Sequence, residues 1–156
     1  MRICGIDPGA QGAMCVLDSN DPAYIQIFDL HKRSFYDMAN WLYNQQIDRV
    51  VIEDVHSMYQ VAAKSNFNFG KAVGVVHAIA NIVTRGDDPL MVAPKVWQKA
   101  VGVNAKGSKF IKPQVAEIAK RAYPSIDLHT PRGRLKDGRS DAVMIAHYAL
   151  YIHKGL

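Results

Sequence analysis

The sequence predicts an α/β fold: a mixed five-stranded sheet, an antiparallel meander plus parallel strands, flanked by helices. Three observations carry this. Apolar runs at 2–7, 12–17 and 24–29 are divided by Pro8-Gly9 and by Ser19-Asn20-Asp21-Pro22, the punctuation of a meander. The run Arg49-Val50-Val51-Ile52-Glu53 is continuous and β-branched, as in a strand buried on both faces. Stretches of helical period separate this run from its neighbours, so the later strands are joined by crossovers.

Each element follows from its residues. RICGID and GAMCVL form two strands around a tight glycine-containing turn, and YIQIFD alternates to give the third. Ser34 caps a helix whose apolar positions Phe35, Met38, Ala39, Leu42 and Tyr43 share one face. The fourth strand is 49–53. A long apolar helix is expected over 66–84, where Gly70, Ala72, Gly74 and Ala78 allow close packing against a neighbour. A short fifth strand spans 90–93. From Pro94 the chain is helical and basic: a helix over 94–102, a glycine- and lysine-rich connection over 104–112, and a helix from Pro113 with that proline in its first turn. The segment 129–140, with Pro131, Gly133 and Gly138, is expected to be a mobile loop, and a last helix begins near Arg139-Ser140.

Composition bounds the function. A chain of 156 residues, 49% hydrophobic and 21% charged, fits one domain over 1–156 and excludes a disordered, collagenous or disulfide-scaffold chain. No apolar run approaches the ~18 residues that span a bilayer, and Asp7-Pro8-Gly9 falls where a signal peptide needs apolar residues. A soluble, non-secreted protein with no membrane partner is expected, its Cys4 and Cys15 being free thiols. Charge is segregated: residues 91–139 hold eleven lysines and arginines against three acids, whereas the rest holds eight against eleven. Such a block suits a polyanion-binding face.

The acids supply the chemistry. Asp7 and Glu53 each end an otherwise apolar strand, and a right-handed crossover would set the two strands side by side, with both carboxylates at the carboxyl edge of the sheet. An aspartate before Pro-Gly also suits a turn, but glutamate is neither a turn former nor a cap. Asp141, expected in the first turn of the last helix, and Asp137 just before it complete the set; the simpler role of Asp141 is to neutralise that helix terminus. Converging carboxylates repel unless cations lie between them, and such oxygen ligands suit Mg²⁺ or Mn²⁺. Two ions per site, ~4 Å apart, activate a water and stabilise the departing oxyanion of a phosphodiester.

Ile6-Asp7-Pro8-Gly9 with Gly12 resembles the first-strand motif of RuvC-type Holliday junction resolvases of the RNase H-like superfamily. Val51-Ile52-Glu53-Asp54-Val55 is similar to their second-acid strand, and 69–74 (FGKAVG) to their long helix. The segment 93–102, the basic start Lys112-Pro113-Gln114-Val115 and the acidic motif Ser140-Asp141-Ala142 follow in the same order over nearly the whole chain. The DGRSDA form and the short length resemble the phage branch.

This resemblance implies a homodimer that cuts two strands of a four-way DNA junction, in a bacterial or phage-infected host cytoplasm. Asp7, Glu53 and Asp141 are then metal ligands. The family often places a fourth ligand three residues before the last acid; Gly138 stands there, so Asp137 would reach from one position earlier. Three positions after the second acid, where an aromatic can wedge into the junction, stands His56, with Met58, Tyr59, Phe67 and Phe69 as substitutes that could stack on an unpaired base. Trp97 occupies a place where a lysine is sometimes found, between Lys95 and Lys99. Those two, with Lys106, Lys109, Lys112, Arg132, Arg134, Lys136 and Arg139, are the expected contacts to the DNA backbone. The alternatives are a flap or RNA–DNA hybrid nuclease of the same fold, or a junction-binding protein that does not cut. A sugar kinase or actin-like ATPase, suggested by Gly5-Ile6-Asp7, needs two such domains and is disfavoured by length.

Overall fold

A computed structural model describes residues 1–55 and 62–153. The strands are β1 (Arg2–Asp7), β2 (Ala13–Asp18), β3 (Asp21–Asp29), β4 (Arg49–Glu53) and β5 (Leu90–Val92), in the spatial order β3-β2-β1-β4-β5. The helices are α1 (Phe35–Asn44), α2 (Ala63–Val83), α3 (Pro94–Ala100), α4 (Ser108–Ala122) and α5 (Asp137–His147), which runs on into a π-helical turn, Tyr148–Ile152. The first three strands pair antiparallel, and β4 joins β1 in parallel with Ile6 opposite Ile52. The mixed five-stranded sheet flanked by helices is therefore as the sequence predicts. Among the described residues no helix is long and apolar enough to cross a membrane.

Side chains alternate across the sheet and build a core on each face. Ile3, Cys15, Leu17 and Val51 pack with Trp97, Val115, Val143 and Ile145 of α3, α4 and α5. Cys4, Ile6, Met14 and Ile52 pack with Met38 and Leu42 of α1 and with Val76 and Ala80 of α2. The two cysteines thus belong to opposite faces, and both are free. On β1, Gly5 lets α5 lie directly on the strand: a Cβ there would overlap the Ala142 carbonyl and the Ala146 nitrogen. That close approach carries the start of α5 over the carboxyl end of β1.

Ser34 caps α1 as expected, its hydroxyl accepting from the Asp37 N–H at 3.1 Å while Asp37 accepts from the Ser34 N–H in return. Four boundaries differ from expectation. β3 begins at Asp21 and includes Pro22, which an edge strand tolerates because one side of its ladder is unpaired. α2 begins at Ala63 with no side-chain cap to announce it. α4 begins at Ser108, after Gly107 in the left-handed region (φ 84°), so Pro113 lies inside the helix, exposed, and deprives only the Lys109 carbonyl of its helical donor. α5 begins at Asp137, with Lys136 as an N-cap that offers no side-chain bond.

The segment expected to be a mobile loop is instead a bonded hairpin. His129 pairs with Leu135, Thr130 N–H donates to the Arg134 carbonyl, and Gly133 N–H donates to the Thr130 carbonyl, both at 2.8 Å. Gly133 takes the positive φ (77°) that this turn requires.

Candidate functional site

The parallel register of β1 and β4 puts Asp7 and Glu53 one residue beyond the paired Ile6 and Ile52, at the same edge of the sheet. Asp7 Oδ1 accepts the Gly9 N–H at 2.9 Å, so the aspartate does form the local turn. Glu53 is only 8% exposed, and its Oε1 accepts the indole N–H of buried Trp97 at 3.0 Å. Asp137 and Asp141, four residues apart, lie on one face of α5. Asp137 is paired with Lys112 of α4.

Electrostatics ties these groups together. Burial raises the Asp7 carboxyl above its ordinary value, opposed by the Gly9 N–H, and the charge of Asp137 raises it further. Burial and then the Asp7 charge push Glu53 up to about 7, against the Trp97 hydrogen bond. Asp141 is raised well above the carboxylate range by burial and then by Asp7, Glu53 and Asp137. Lys112, raised chiefly by its bond to Asp137, is the cation that offsets them.

These donors suit a hard divalent cation: all are carboxylate oxygens, Glu53 buried and the three aspartates half-buried, with one lysine for four acids. Among the described residues, however, no three such side chains already converge as a metal site. Asp137, turned to Lys112, is the most engaged of the four. No side chain could serve at position 138, because a Cβ there would overlap the Gln11 carbonyl and stand 2.7 Å from the Gly12 Cα. The helix start is seated directly on the β1–β2 turn, and the acid falls one residue earlier.

The other predicted residues divide. Lys95, Lys99, Lys106, Lys109, Arg132 and Arg134 are exposed and in no ion pair among the described residues. Lys136 and Arg139 are committed internally: Lys136 Nζ lies 2.5 Å from Asp29 Oδ2, and Arg139 grips Asp29 with Nε and Nη2 at 2.7 and 2.9 Å while Nη1 donates to the Asp127 carbonyl. Of the wedge candidates, His56, Met58 and Tyr59 lie outside the described residues. Phe67 on α2 is 74% exposed and Phe69 is half-buried.

Trp97 is the residue whose part in the site the sequence did not reveal. The resemblance marks position 97 only as a place where a lysine is sometimes found, and the tryptophan's partner is 44 positions away. A cavity of about 620 Å³ between Leu42–Asp48 and Ile82–Arg85 has no share in the site. It lies at the amino edge of the sheet, where Asp48 accepts the Arg2 N–H.

No family model matches the chain, and no curated protein does. Solved structures do. One is Thermus thermophilus RuvC in complex with a Holliday junction substrate, with a TM-score of 0.60 and 16% identity over 99% of this chain and 96% of that one. Another is a Thermus thermophilus RuvC structure, with a TM-score of 0.54 and 18% identity over 96% of this chain and 95% of that one. At such identities the likeness concerns the fold. The chain has the RNase H-like fold of the RuvC type, with its acids at the carboxyl edge of the sheet.

Proposed function

We propose that this chain is a metal-dependent, structure-selective endonuclease that resolves four-way or branched DNA junctions by paired, symmetric phosphodiester hydrolysis. One observation carries the reading: carboxylates from distant parts of the chain stand close enough at one sheet edge that the Asp7 charge raises the proton affinity of Glu53, and both raise that of Asp141. Uncompensated buried charge is costly, and a cation that neutralises it is the simplest reason to keep it. The fold likeness to a protein solved with a Holliday junction supports the substrate.

Asp7, Glu53 and Asp141 would hold Mg²⁺ or Mn²⁺, with Asp137 as a fourth ligand once released from Lys112. When bound, a pair of such ions supplies an activated water and stabilises the leaving 3′ oxygen, so that the ends are 5′-phosphate and 3′-hydroxyl. The chain's own groups do the rest. Trp97 holds one oxygen of Glu53, which leaves the other for a ligand. Lys112 balances charge beside Asp137. The exposed lysines 95, 99, 106 and 109 and arginines 132 and 134 take the DNA backbone, so shape rather than base sequence selects the substrate.

Symmetric cutting calls for a two-fold dimer. Helix α2 leaves Phe67, Gly74, Ala78 and Ile82 exposed along its length, and we assign this face to the second copy.

The test is incubation of the protein with labelled four-way junction, flap, duplex and RNA–DNA hybrid in Mg²⁺, Mn²⁺ or EDTA, beside Asp7→Asn and Glu53→Ala. Paired symmetric nicks on the junction, abolished by EDTA and by either substitution, are expected. Preference for the flap or hybrid would overturn the junction assignment, and binding without cleavage in either metal would make the protein a junction binder.

A further inference from the structure

Beside the carboxylates a cleft of about 420 Å³ opens between the β1–β2 turn and the 129–135 hairpin, lined by Gln11, His31, Thr130, Arg134 and Lys136. Its two acids are already neutralised, Asp29 by Lys136 and Arg139, and Asp137 by Lys112. Arg134 is exposed and in no ion pair among the described residues.

What remains unspent is hydrogen-bond donors. Gln11 Nε2 lies 2.8 Å from His31 Nδ1, and with the amide nitrogen donating there the ring's proton stands on Nε2, free to be given. Thr130 Oγ1 accepts the Arg134 N–H at 3.1 Å and keeps its hydroxyl proton to give. Among the described residues lining the cleft Leu135 is the only apolar side chain, so its wall is chiefly polar. Free donors, a guanidinium and neutralised acids are what a phosphodiester oxygen requires. Asp137 lines this cleft and also belongs to the acidic site, so an occupant would adjoin the reacting group.

We propose that this cleft seats a phosphate of the cut strand flanking the scissile one, with Arg134 as its clamp and His31 Nε2–H as a second donor. The assignment rests on the endonuclease reading above. It adds His31, Gln11 and Thr130 to the DNA-binding surface and separates Arg134 from Lys136 and Arg139, whose charge Asp29 already engages.

The experiment is an anisotropy titration of the whole protein with a labelled four-way junction in EDTA over a series of KCl concentrations. Arg134→Gln is expected to weaken binding about fivefold and to lower the slope of log K against log[salt] by about 0.9, the loss of one phosphate contact. His31→Ala removes the second donor and should weaken binding about twofold, with a smaller change of slope than Arg134→Gln gives. Arg121→Gln, which breaks only the exposed pair with Glu117, serves as the reference and should bind as wild type. Wild-type affinity and slope in both cleft variants would overturn the cleft while leaving the endonuclease reading in place. Failure of the wild-type protein to bind any junction would overturn both. If Arg134→Gln does not fold, wild-type affinity in His31→Ala alone overturns the two-donor assignment.

Discussion

Asp7 and Asp29 stand in one row of the sheet, each opposite Ala13 on β2, at the ends of β1 and β3. Their carboxyl groups are nevertheless displaced in opposite directions. The Arg139 hydrogen bond, with that of Lys136, holds Asp29 down at about 2 against burial. Burial raises Asp7, whose charged neighbour Asp137 adds to the effect. The same residue type at the same edge is structural where two cations meet it and costly where acids meet it. Asp29 anchors the hairpin and the first turn of α5 to β3. The neighbouring acids weaken the fold in the absence of a cation, which is why we assign them to ligand binding.

The sharpest way to break this contrast is to neutralise one member of each set. Asp7→Asn should lower junction cleavage by roughly a thousandfold, as expected when a group that stabilises the transition state is lost. It should leave junction binding in place and raise the melting temperature measured without metal. Equal cleavage in wild type and Asp7→Asn would end the assignment of the acidic edge.

Trp97→Phe keeps an aromatic ring but removes the indole N–H that Glu53 Oε1 accepts, leaving a buried oxygen that costs about 1–3 kcal/mol when unsatisfied. Cleavage should fall about tenfold, with a higher Mg²⁺ concentration needed for half-maximal rate and junction affinity unchanged. A loss of stability with an unchanged Mg²⁺ requirement would reduce Trp97 to packing.

Asp29→Asn should act on the fold rather than on the reaction. It frees Lys136 and Arg139 from their shared partner, a loss of ~1–2 kcal/mol after allowance for solvent screening, or roughly 3–6 °C in melting temperature. Cleavage at a temperature where the variant is folded should change less than about threefold. A larger loss of cleavage in the folded variant would show that the clamp governs the acids directly.

The pH dependence of stability sharpens the contrast further. Glu53, raised from 4.5 to about 7, binds more protons in the folded state, so metal-free stability falls as pH rises between those values, by on the order of 3 kcal/mol. Asp29, lowered from 3.8 to about 2, contributes stability that is present above 3.8 and lost as pH falls through about 2. Thermal melts in EDTA should therefore be highest near pH 4–5. Glu53→Gln should flatten the neutral limb, and Asp29→Asn the acid limb.

The sequence makes the strands and the two strand-end acids legible because they obey local and topological rules: β-branched runs, the Pro8-Gly9 break and a right-handed crossover between β1 and β4. It is much less informative about the starts of α4 and α5. Pro113 mimics a first-turn proline although Gly107 sets the true start, and Lys136 is not a capping residue, so nothing local announces Asp137. What pins α5 is distant: Asp29, about a hundred residues earlier, and the Gln11 backbone against Gly138. The Trp97–Glu53 bond and the pairing that divides the basic residues into free and committed are equally non-local. Charge counting sees eleven cations and cannot tell Lys136 from Arg134.

The most direct test of the central claim, that the acidic edge is a divalent cation site, is calorimetric titration of Mn²⁺ into the metal-free protein beside Asp7→Asn and Glu53→Gln. The account predicts saturable binding to the wild-type protein, accompanied by proton release at pH 7 as Glu53 ionises, and loss of most of that binding in either variant. Wild-type binding that both variants retain, or no saturable binding in any of the three, would contradict it.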